Sequence, residues 1–80
     1  MRLLDKDNDR ALKNLGVYLT IDEAKEVLGD LQQLIEHYSG SQHAHISDTE
    51  YEHEITLVVY LQDDLEQFDA RSKTLIEEDK

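Results

Sequence analysis

Seven apolar residues, Ala24, Val27, Leu28, Leu31, Leu34, Ile35 and Tyr38, recur at helical spacing without a miss. A chain with such a stripe must set it against something apolar. The residues before it mark where the helix begins. In Thr20-Ile21-Asp22-Glu23 the Thr20 hydroxyl can accept from the Glu23 amide while the Glu23 carboxylate reaches back to the Thr20 amide, which is a capping box. Glu26, Asp30, Gln33 and Glu36 then fall among the positions facing water. Ser39-Gly40-Ser41 predicts the end, because glycine readily takes the left-handed conformation that closes a helix. With 80 residues in all, the chain can build one modest core around this element.

Period-two patterns flank the helix on both sides. Between Ala11 and Thr20, Leu15, Val17 and Leu19 alternate with Gly16, Tyr18 and Thr20, which predicts a first strand with one buried face. Gln42 to Ser47 predicts a second, with Ala44 and Ile46 on one face and His43 and His45 on the other, followed by a turn over Asp48 to Glu52. His53 to Leu61 is the most strand-like run. Ile55, Leu57, Val59 and Leu61 lie on one side, with Thr56, Val58 and Tyr60 on the other, so it is expected at the centre of a sheet.

A right-handed crossover followed by a hairpin gives the expected fold: α+β, a split β-α-β-β three-stranded sheet in order 1-3-2 with the long helix on one face. Residues 1–9 have no apolar period and read as a loose N-terminal arm. Residues 64–80, with Leu65, Phe68, Ser72 and Leu75 at helical intervals, read as a C-terminal helix, and the whole as a single domain. That last helix is expected either to cover the sheet face bearing Val58 and Tyr60 or to pack beside the first helix. An uncovered face would favour a homodimer through Tyr18, Val58 and Tyr60.

Charge narrows the classes of partner. Nineteen acids against eight bases give a net charge of −11, and Glu26 to Ala70 holds eleven acids with no lysine or arginine. Such a field repels nucleic acid and anionic lipid and attracts basic protein surfaces or cations. There is no cysteine, so neither a disulfide nor a thiolate metal site can form. Met1-Arg2-Leu3-Leu4-Asp5-Lys6-Asp7 becomes charged before a signal-like apolar run develops, and no run approaches the roughly eighteen residues of a membrane span. A cytoplasmic protein is expected.

Sites for chemistry are sparse. His43 and His45 form a His-x-His pair on one strand face, with His53 and the carboxylates Glu50, Glu52 and Glu54 near in sequence. A metal site there is the alternative to a surface or interface role. Asp48, Glu50, Glu52 and Glu54 alternate and would line one edge of an extended segment, a row suited to a basic groove, and Asp63-Asp64 continues it. The Asp-x-Asp-x-Asp-Gly order of a calcium loop is missing. No nucleophile elbow or glycine-rich phosphate loop occurs. The expectation is a non-enzymatic protein-binding module without cofactor, using Asp48, Glu50, Glu52, Glu54, Asp63, Asp64, His43, His45 and Tyr60 toward a basic protein partner.

Four segments carry a resemblance: Val17-Tyr18-Leu19-Thr20-Ile21-Asp22-Glu23-Ala24, the serine-glycine pair after the helix, His43-Ala44-His45-Ile46-Ser47, and Glu54-Ile55-Thr56-Leu57-Val58-Val59-Tyr60. Over roughly residues 15–61 the chain resembles small bacterial immunity proteins of polymorphic toxin systems. The resemblance implies a cytoplasmic protein that neutralises a toxin by tight binding. It carries no set of binding residues with it, and the tail lies outside it.

Overall fold

The computed structural model describes residues 1–40 and 42–80. Its elements in chain order are β1 (Leu3–Asp5), β2 (Arg10–Leu12), α1 (Ile21–Glu36), β3 (His43–Ser47), β4 (Glu54–Val58) and α2 (Ala70–Glu78). The α+β class is as expected, but the three-stranded sheet in order 1-3-2 is not formed. Two separate antiparallel pairs, β1-β2 and β3-β4, take its place. They belong to different compact units, one of Met1–Val17 with Leu65–Lys80 and the other of Tyr18–Asp64.

The expected first strand is where the expectation fails. Residues 14–20 adopt neither helix nor strand, and Leu15, Val17 and Leu19 are substantially exposed. Alternation of apolar side chains makes a segment fit for a strand, but a ladder also needs a neighbouring edge in register. β4 is correspondingly one half of a ribbon rather than a central strand. It pairs with β3 from Ser47↔Glu54 to His43↔Val58.

The discontinuous unit is tied by polar links. Leu3–Asp5, within the segment expected as a loose arm, is a strand paired with Arg10–Leu12. The Asp5 carboxylate closes the turn by accepting from the amides of Asp7 and Asn8 and from the Asn8 side chain, a turn-forming use of aspartate. The Asn8 side chain is the main reason the Asp5 carboxyl sits below its ordinary value. α2 is shorter than the expected 64–80. Asp69 caps its start by accepting from the Ser72 amide at 2.8 Å, and Asp79 ends it in the left-handed region at φ 56°.

The Arg2 guanidinium donates to the carbonyls of Leu75 and Ile76, each at 3.0 Å. It places a cation where the helix dipole is negative and the last carbonyls need donors. Lys13 pairs with Asp79, and Arg71 pairs with Asp9 at 2.6 Å while also donating to the Lys80 carbonyl.

The contiguous unit holds the buried side chains. α1 packs on β3, and Leu34 and Ile46 are 6% and 4% exposed. The capping box forms as read from the sequence: Thr20 Oγ1 accepts from the Glu23 amide at 3.1 Å and Glu23 Oε1 accepts from the Thr20 amide at 2.9 Å. The helix ends at Glu36, and Gly40 follows with φ 85°. Ser41, the last residue of the expected stop, lies outside the described residues.

Gly29 sits inside α1, and a Cβ there would meet nothing within 4 Å beyond its chain neighbours and the helix's own backbone. Gly29→Ala is therefore expected to stabilise this unit by about 0.5–1 kcal/mol, because alanine loses less backbone freedom in a helix. A higher urea midpoint with unchanged slope would register it.

Candidate functional site

The charge asymmetry follows the structural division. Tyr18–Asp64 carries eleven Asp or Glu residues against one base, Lys25, for a net −10. The remaining residues carry eight acids and seven bases. In the discontinuous unit, acids meet bases directly through Lys13–Asp79, Arg71–Asp9 and Lys80–Glu78. In the acidic unit, Glu54 and Asp48 instead meet the histidines His45 and His53.

Within the acidic unit a groove of about 620 Å³ runs between the start of α1 and the far end of the β3-β4 hairpin. Its helical wall carries Asp22, Glu23 and Glu26, and its hairpin wall carries His45, Ser47, Asp48, Thr49 and Tyr51. The helix side follows from the capping box. Acids in the first turn are favoured by the positive end of the helix dipole, and the three- and four-residue spacings to Glu26 keep these carboxylates along one side. The hairpin side follows from strand alternation, which turns His45 and Ser47 to the same face.

Asp48 organises the hairpin end. Its carboxylate accepts from the Glu52 amide at 2.8 Å, the His53 amide at 3.3 Å and His53 Nδ1 at 2.6 Å. Its backbone amide donates to the His53 carbonyl at 3.2 Å, and its carbonyl accepts from the Tyr51 amide at 3.0 Å. The hydrogen bond from the His53 ring, aided by those of the two amides, holds the Asp48 carboxyl below its ordinary value. The same bond, with the negative charge of Asp48, raises the His53 imidazole above its ordinary value. Tyr51 completes the turn in the left-handed region at φ 56°, with its ring in solvent.

The residues expected from sequence are thus divided. Asp48 and His45 line the groove, and Glu54 joins them through its 2.8 Å contact with His45 Nδ1, which also lies 3.0 Å from Thr56 Oγ1. Glu50 and Glu52 are exposed in the turn, so residues 48–54 curl around Asp48 and do not present an extended row. His43 meets His45 edge to face, with ring centroids 4.7 Å apart. It lines a separate recess of about 510 Å³ with Asp30 and His37.

Asp63 is exposed and Asp64 half-buried, the Asp64 amide donating to the Leu61 carbonyl at 3.0 Å. Tyr60 is half-buried. None of these last three lines the groove. Among the described residues, no group of three or more His, Asp or Glu side chains is placed to hold a metal ion.

Asp22, Glu23 and Glu26 were not among the residues expected at the site. Their capping role was legible, but their place opposite Asp48 depends on how α1 lies against the hairpin. The Asp48–His53 latch did have a local signal: an aspartate and a histidine at the two ends of a four-residue turn. Chemically, the groove offers carboxylates and hydroxyls to a cationic group. No helix of the described residues is long and apolar enough to cross a membrane. Compared with known family models, curated proteins and solved structures, the chain matches none.

Proposed function

We propose that the unit of Tyr18–Asp64 is a protein-binding module that docks on a basic protein surface, with the groove of Asp22, Glu23, Glu26 and Asp48 receiving lysine or arginine side chains. The observation that carries this reading is the concentration of net charge, −10 of −11, on one contiguous unit with a single base. A field of that size raises the rate at which oppositely charged partners meet, and it discriminates against acidic ones. The resemblance to immunity proteins supplies the class of partner, a basic toxin such as a nuclease. Carboxylates set in a groove would occupy the place of its substrate phosphates, and binding alone would neutralise it in the cytoplasm.

Stopped-flow association with basic nuclease domains as probes tests this. The on-rate is expected to fall steeply as salt rises, and Asp22→Asn with Glu26→Gln to lower it by about tenfold at low ionic strength. Both side chains are exposed, and circular dichroism of the variant checks that the fold is kept. An on-rate indifferent to both salt and substitution would remove electrostatic docking from consideration.

A further inference from the structure

The apolar stripe of α1 is wider than the surface β3 covers. Leu34 is buried and Val27 half-buried. Ile21, Leu28 and Ile35 are 73%, 59% and 65% exposed, and Ala24 is exposed beside them. The three large residues are spaced by seven. In a helix that spacing stacks them along one line, about 10 Å apart from one to the next. Ala24 and the half-buried Leu31 fall between them, which gives the alternating three- and four-residue spacing of a heptad seam, the pattern onto which a second helix packs side by side. Large apolar side chains lined up in water are the signature of a surface meant to be covered.

We infer that this seam seats an amphipathic helix of a protein partner, apolar on one face and carrying lysine or arginine along its flanks. Charge selects that occupant over a second copy of the chain. Lys25 flanks the seam next to Ile21 and Ala24, with Glu36 and Asp22 farther out on the same side toward its two ends, but it is the only base in a unit of net charge −10. A copy of α1 brings the same acidic unit with it, so pairing two would bring like charges together, whereas a basic-flanked helix gains attraction from the same groups. This deepens the protein-binding reading and rests on it: the field steers a basic partner in, and the seam supplies the apolar area that holds it.

The test uses the full chain and three synthetic peptides. One is a helix with leucines in a heptad seam and lysine flanks, the second has the same composition with leucines scattered around the helix, and the third has glutamate in place of lysine. Fluorescence anisotropy is expected to show the first binding at least about tenfold tighter than either of the others. Amide and methyl shifts should centre on Ile21, Ala24, Leu28 and Ile35. Leu28→Gln with Ile35→Gln, both at exposed positions, should cost at least about tenfold in affinity even at high salt.

Equal binding of the seam and scattered peptides, or no loss in the glutamine variant, would overturn the seam and leave electrostatic docking standing. Failure of every lysine peptide and every basic nuclease domain to bind would overturn both. Sedimentation showing a dimer that Leu28→Gln dissolves would assign the seam to a second copy and overturn the proposed occupant.

Discussion

Ile46→Ala should unfold the acidic unit under conditions in which the parent chain is folded. Among the described residues only Leu34 and Ile46 are buried, and they come from α1 and β3, the two elements that pack together. Truncating a buried isoleucine to alanine costs about 2–5 kcal/mol through lost transfer energy and the cavity left behind. At the usual density of stability, a unit of this size has only about 2–7 kcal/mol in total. The loss is therefore comparable with the whole margin. Leu28→Ala removes a similar side chain from the exposed side of α1, and should change stability by no more than about 0.5 kcal/mol. Urea unfolding followed by circular dichroism compares the two, and equal losses would show that burial is not what separates these positions.

Asp48→Ala should have the second large effect, opening the β3-β4 turn. One carboxylate accepts from two backbone amides and a histidine ring, so a single substitution removes three bonds. The amides of Glu52 and His53 should lose protection in hydrogen exchange while those of β3 and β4, farther from the turn, keep it. The latch also has a pH window whose sign follows from the two shifts. Asp48 is lowered, so its contribution is present above the ordinary aspartate value and fades as pH falls through the lowered one. His53 is raised, so its contribution is full below the ordinary imidazole value and fades as pH rises through the raised one. Protection of the turn should therefore be greatest between the two ordinary values, about 3.9 and about 6.5. His53→Gln should abolish the decline on the alkaline side, and a decline that persists in that variant would separate the window from this histidine.

How far the residues alone could reach depended on whether the deciding interaction was local. The Thr20–Glu23 box is closed within one helical turn, and it formed as read. β3 carries Ala44 and Ile46 on one face and His43 and His45 on the other, as alternation requires, and Ile46 is buried. The run from Leu15 to Leu19 has the same alternation as β3 and is not a strand, because pairing depends on an edge elsewhere in the fold. β1 and β2 are three residues each, too short to show a period. Their signal was the turn chemistry of Asp5 and Asn8, which lay inside the segment expected as an arm. At the groove, Asp48 and His45 were anticipated by residue type, whereas Asp22, Glu23 and Glu26 come in through helix-on-hairpin packing, which no local pattern encodes.

The division of the chain also bears on the order in which its parts fold. Tyr18–Asp64 is continuous, so α1 and the β3-β4 hairpin are built from residues close in sequence. The other unit joins the first seventeen residues to the last sixteen, and the bonds from Arg2 to Leu75 and Ile76 span 73 and 74 positions. Closing so long a loop is slow compared with forming neighbouring contacts. The carboxylate-rich half is thus expected to form faster than the unit that must bring Arg2, Lys13 and the β1-β2 hairpin to α2.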